Sequence, residues 1–158
     1  MALGGRPRDR RLWKAGGGAG FAKGFKTQLN VTSGYGRDLI DAVQLVQQYL
    51  KDVDIEAELK LQEYGAYMAT TFVGKYEGMA IGPISIAWEP DGVLYAMYVP
   101  DHSRNSSHVN APKLLAMLPE QRRTEELPAR KKLIFDIQRH IADQQYDVFT
   151  HSGIITST

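Results

Sequence analysis

Residues 26–61 constrain the fold more than any other stretch, because two kinds of periodicity follow each other within them. Residues 26–32 (Lys-Thr-Gln-Leu-Asn-Val-Thr) alternate in polarity and are rich in strand formers, which predicts a β-strand. Ser33-Gly34-Tyr35-Gly36 reads as a turn, and Asp38 is placed to cap a following helix. Leu39, Val43, Val46 and Leu50 then recur at i, i+4, i+7 and i+11, one face of a helix. Residues 52–54 end it, and Ile55, Ala57, Leu59 and Leu61 alternate strictly with Glu56, Glu58 and Lys60 as a second strand. Strand, helix and strand with short connections form a βαβ unit, with parallel strands and a right-handed crossover. The fold class is therefore α/β.

The remaining elements are shorter. Residues 64–73 predict a short helix ending near Gly74. The apolar run 79–86 suits a buried strand that ends or bulges at Pro83. Residues 88–92 read as a turn, 93–98 as a short helix or an extended segment, and 101–110 as an exposed polar loop. Pro112 suits the first position of a helix through Leu118, which Pro119 should kink or end. Pro128 opens a last helix with Leu133, Ile134, Ile137 and Ile141 on its apolar face. Residues 146–150 and 153–158 look extended or strand-like. The first 20 residues lack periodicity and are rich in glycine and arginine, so they read as a flexible leader ahead of a body at 21–158.

Composition excludes several functions. Nineteen basic and 18 acidic side chains leave a formal charge of +1, so nothing electrostatic favours nucleic acid or an anionic membrane. There is no cysteine, which removes disulfides, thiolate catalysis and cysteine-ligated metals. No apolar run approaches the roughly 18 residues of a membrane span, and the glycines at 16–18 replace the apolar stretch a signal peptide needs. His102, His108, His140 and His151 lack the tight helical spacing of a metal site. No nucleophile elbow, phosphate loop or dinucleotide fingerprint is present, so the sequence calls for neither a cofactor nor an enzyme.

The order of the motifs has a counterpart in a known family. Gly24-Phe25 precedes the first strand, residues 42–50 read Ala-Val-Gln-Leu-Val-Gln-Gln-Tyr-Leu, and residues 54–59 read Asp-Ile-Glu-Ala-Glu-Leu. Pro112-Lys113-Leu114, residues 128–133 (Pro-Ala-Arg-Lys-Lys-Leu) and Ile137-Gln138-Arg139 follow. From about residue 21 onward this text resembles the C-terminal lobe of peptide-type (family 5) extracytoplasmic solute-binding proteins of ABC importers. The resemblance implies an incomplete periplasmic-binding-protein-like type II lobe, a βαβ unit plus C-terminal helices. It implies a partial substrate-binding component for a small solute such as a peptide or opine, a permease partner for the full-length parent, and a periplasmic or extracytoplasmic location for that parent.

Departures from the pattern matter. The family's Gly-Trp-x-x-Asp stretch lines the cleft, and its Asp pairs with a peptide ammonium. Here Gly82 keeps the glycine, Pro83 replaces the tryptophan and Ile86 stands at the Asp. Isoleucine cannot neutralise an ammonium. Ala111 and Leu127 occupy positions where the family caps its helices with Asp. The candidates for ligand contact are Trp88, Ser85, Ile86, Tyr35 and Tyr64; each has a packing role as its alternative, as does Tyr67, while Glu89 and Asp91 read as turn residues. The competing expectation is a remnant chain without transport activity, whose uncovered apolar surface drives self-association.

Overall fold

Strand β1 (Phe25–Thr32) lies at the centre of a parallel sheet of order β2-β1-β3, with β2 at Ile55–Gln62 and β3 at Met79–Ala80. The computed structural model describes residues 21, 24–84 and 89–150. The expected leader at 1–20, the site candidates Ser85, Ile86 and Trp88, and the expected extended piece at 153–158 lie outside the described residues. The described chain forms two compact units that divide between Pro83 and Ile84.

In the first unit, β1 and β2 pair in register from Phe25 opposite Ile55 to Thr32 opposite Gln62. That register places Leu29, Val31, Ala57 and Leu59 on one face, where helix α1 (Arg37–Lys51) covers them with Val43, Leu39, Val46 and Leu50. Val31 and Val43 are completely buried. The helix face read from spacing is thus the face that packs. Gln47 adds a polar tie, donating Nε2 to the Ala57 carbonyl at 2.6 Å. Asp38 does not cap α1. Gly36 holds the cap position at φ 94° without a side-chain bond, and Asp38 sits inside the first turn, where its charge suits the helix dipole.

Two other expectations change in this unit. The helix expected at 64–73 is α2 (Tyr64–Ala69) followed by a 3-10 turn at Thr71–Val73, and the chain breaks at Thr70 before left-handed Gly74. The buried strand expected from residue 79 shrinks to Met79–Ala80, both half-buried, and Gly82, Pro83 and Ile84 are exposed. Side chains complete what the short ladder lacks. Asn30, 1% exposed on the central strand, donates Nδ2 to the carbonyls of Glu77 (2.8 Å) and Met79 (3.0 Å).

The second unit is helical: α3 (Pro90–Tyr98), α4 (Pro112–Arg123) and α5 (Leu127–Gln144). Its core joins Leu94 and Tyr98 of α3, Val109 of the loop that follows, Leu114 and Leu118 of α4, and Ile137 and Ile141 of α5. Of the turn expected at 88–92, residues 90–92 are instead the start of α3. Pro90 holds the first position, and the Glu89 carboxylate caps it by accepting from the Asp91 amide at 3.2 Å. Pro119 does not end α4, which runs on to Arg123 without that one amide donor. Ala111 caps α4 with no side-chain bond, as expected. Leu127 is the first residue of α5 rather than its cap; Glu126 holds that position and also makes no side-chain bond. The loop after α3 is not wholly exposed. Asn105 is buried and ties it together, donating to the Val99 and Val109 carbonyls and accepting from the Val109 amide.

Glu89 and Asp91 do more than serve a turn. Asp91 receives a two-pronged bond from Arg122 (2.7 and 2.9 Å from Nε, 2.7 Å from Nη2) and another from Gln121, which is completely buried. Gln121 accepts from Arg130 at 3.2 Å, and Arg130 also reaches Glu89. The clasp joins the α3 start to α4 and α5. The Arg122 hydrogen bonds hold the Asp91 carboxyl below the usual carboxylate range, and the bond from Arg130 does the same for Glu89. A carboxyl whose folded pKa is depressed adds stability above its unfolded value of about 3.9, and that stability fades as pH falls through the folded value. Urea unfolding should therefore be nearly flat from pH 7 to about 5 and weaken below about pH 4. Asp91→Asn should make that acid-side slope shallower; an unchanged slope would mean the clasp carries no charge-dependent stability.

Candidate functional site

The C-terminal ends of β1, β2 and β3 open onto a common edge, where open α/β sheets gather their ligands. Three short segments leave the strands there: residues 33–36 after β1, 63–68 after β2, and 81–83 after β3. Three tyrosines connect them. Tyr35 meets Tyr64 edge-on with ring centres 5.4 Å apart, and meets Tyr67 edge-on at 6.3 Å. Tyr67 belongs to α2 and sends its hydroxyl to the Ile81 carbonyl at 3.2 Å. The Tyr35 hydroxyl donates to the Met68 sulfur at 3.5 Å.

Local sequence explains each placement. Thr32 turns the chain at the end of β1, its Oγ1 accepting from the Gly34 amide at 3.2 Å. Gly34 lacks a side chain because the Tyr64 ring lies against it, and Gly82 lacks one because the Tyr67 hydroxyl does. Glu63 caps α2 by accepting from the Ala66 amide at 3.1 Å, and the amides of Gly65 and Ala66 lower its carboxyl pKa. Burial, followed by the neighbouring Tyr35 and Tyr76, pushes the Tyr67 phenol up to about 12, so it stays a neutral donor.

The edge divides into buried support and exposed surface. Tyr67 is 3% exposed, whereas Tyr64 is 43% exposed and Leu61, the last apolar residue of β2, is 57% exposed. Tyr35 is half-buried, and Gly82 and Pro83 face solvent. Of the sequence candidates, the structure brings Tyr35 and Tyr64 together at this edge. Tyr67, read mainly as a helix-packing residue, connects all three segments. The pairing of a tyrosine after β2 with the glycine after β3 was the available signal.

Another depression lies elsewhere. It encloses about 760 Å³ beside α1 and β2 and is lined by polar chains such as Lys26, Gln44, Gln48, Lys51 and Glu58. It holds no convergent chemistry, and the aromatic edge is the better candidate on topology. Among the described residues, no group of His, Asp and Glu is placed to hold a metal ion, and no helix is long and apolar enough to cross a membrane.

No family model matches the chain, and no curated protein matches it. Solved structures do. The chain is similar to the ABC transporter-associated periplasmic binding protein DppA from Helicobacter pylori in complex with the peptide STSA, at 21% identity and a TM-score of 0.74 over 92% of this chain and 30% of that one. It is similar to a putative peptide binding protein AppA from Clostridium difficile, at 17% identity and a TM-score of 0.76 over 87% and 28%. It also matches NikA from Staphylococcus aureus in complex with nickel and two L-histidines, at 13% identity and a TM-score of 0.74 over 87% and 30%. The chain thus spans about 30% of the length of the binding proteins it matches, and its fold is that of a portion of a periplasmic-binding-protein-like lobe.

Proposed function

We propose that this chain is part of the C-terminal lobe of an extracytoplasmic solute-binding protein that delivers peptides or related small solutes to an ABC permease. The role is binding, not catalysis. The observation that carries it is the tyrosine-linked edge at the C-terminal ends of three parallel strands, in a fold shared with proteins solved with a peptide or a nickel–histidine complex bound. Tyr35 and Tyr64 form the ligand wall in this reading, and Ser85, Ile86 and Trp88 are further contact candidates from the sequence alone. Ile86 at the ammonium-pairing position favours solutes without a free α-amino group at that point. Thermal-shift titration of the full-length gene product against short peptides, opines and nickel–histidine tests this. A true ligand at a hundredfold excess over Kd stabilises by about 2.7 kcal/mol. No shift with any member of the panel would sink the proposal.

Exposed apolar side chains favour a second reading, a self-associating scaffold without transport activity. Leu127, Val148 and Phe149 are 73%, 82% and 67% exposed. Light scattering separates the two, because a scaffold of this kind gains mass with concentration and a solute-binding monomer does not.

A further inference from the structure

We infer that Tyr67 is the positioning residue of this edge: its buried hydroxyl aims residues 81–83 toward the solute, although Tyr67 itself does not touch it. The inference rests on the solute-binding reading for its functional half and on geometry alone for its structural half. β3 has only two residues, so the ladder by itself holds residues 81–83 weakly. Beyond it, the chain is held at two points. The Ile81 amide donates to the Asn30 carbonyl at 3.0 Å, and the Ile81 carbonyl accepts from Tyr67 at 3.2 Å. Both polar groups of one residue are thereby fixed, one by the central strand and one by Tyr67. Gly82 follows at once, and a Cβ there would collide with the Tyr67 hydroxyl. The glycine and the tyrosine are therefore one device, and the exposed Gly82-Pro83 surface is where it acts.

Tyr67 also bears on the wall opposite. Its ring supports Tyr35 edge-on, and Tyr35 in turn supports Tyr64. One buried side chain thus sets the spacing between the segments that follow β1, β2 and β3. Removing its hydroxyl leaves the ring packing in place and releases only the β3 side, which makes Tyr67→Phe a selective probe.

The test compares Tyr67→Phe with Gly82→Ala, which should displace the same hydroxyl, and with Thr71→Val as a control. Thr71 is also buried in this unit, and its hydroxyl donates to Gln62 Oε1 at 2.6 Å. Three quantities are read on the full-length gene product: Tm, hydrogen exchange of the Ile81 amide, and Kd for the best solute of the panel. Tyr67→Phe and Gly82→Ala should each speed Ile81 exchange and weaken Kd by about tenfold, the equivalent of one lost hydrogen bond. Thr71→Val should lower Tm comparably while leaving Ile81 exchange and Kd unchanged. The inference is overturned if Ile81 exchange in Tyr67→Phe matches wild type, or if Kd in all three variants simply follows Tm. A wild-type protein that binds no solute refutes the functional reading instead, and Ile81 exchange still decides whether Tyr67 positions the segment.

Discussion

Leu114→Ala should destabilise the helical unit by about 3 kcal/mol, from lost apolar transfer and the cavity left behind. Leu114 is completely buried on α4, one turn before the nearly buried Leu118, in a core shared with Leu94, Tyr98, Ile137 and Ile141. Its neighbours are themselves buried and packed in this core, so the site can refill the space only in part. A loss of this size should lower Tm by on the order of 10–20 °C for a unit this small. Urea unfolding followed by helical circular dichroism measures it. Lys113→Ala, one residue away and exposed, should stay within about 0.5 kcal/mol of wild type. If Leu114→Ala unfolds within 1 kcal/mol of wild type (roughly the scatter of surface changes), this core does not hold the helices together.

The βαβ unit was readable because both of its periods are complete. Residues 26–32 and 55–61 alternate in polarity along the sequence, and α1 keeps its apolar face from Leu39 to Leu50. β3 was not readable at its true length. An apolar run such as 79–86 says that residues avoid water, but not where a ladder stops, and here Pro83 and the exposed Gly82 stop it early. Pro119 misled for the opposite reason. Its local cost is real, but Leu118 and Gln121 are buried on either side of it, and their packing carries the helix through.

The candidate site was half legible. Tyr35 and Tyr64 stand out because they follow the strand ends directly, and the structure joins them. The role of Tyr67 depends on a carbonyl 14 residues away, which no local pattern encodes. Glu89 and Asp91 show the same limit. Turn chemistry explains their types, but their partners Arg130 and Arg122 lie 41 and 31 residues further along the chain. Spacing rules see neighbours on one element; they do not see contacts that a fold brings together.

Gly78→Ala should unfasten β3 and with it one side of the candidate site, at a cost of about 2–4 kcal/mol. Gly78 sits at φ 78°, in the left-handed region that costs an L side chain about 1–2 kcal/mol. An added Cβ would also stand 2.6 Å from the Gln28 carbonyl and 2.7 Å from Thr27 Oγ1, both on the central strand. The backbone of a paired strand cannot yield, so β3 has to move away. Asn30 would then lose its bonds to the carbonyls of Glu77 and Met79, and its buried Oδ1 already lacks a partner. An amide stranded in that way adds to the cost. Gly92→Ala is the natural comparison, because Gly92 lies in α3 with nothing within 4 Å of an added Cβ, and alanine there should stabilise by roughly 0.5–1 kcal/mol. Opposite signs for two identical substitutions would tie the first effect to the contact with β1. The Ile81 amide, bonded to Asn30 at 3.0 Å, should lose its exchange protection in Gly78→Ala and keep it in Gly92→Ala. A Gly78→Ala protein as stable as wild type, with Ile81 still protected, would show that β3 is not anchored by this close approach.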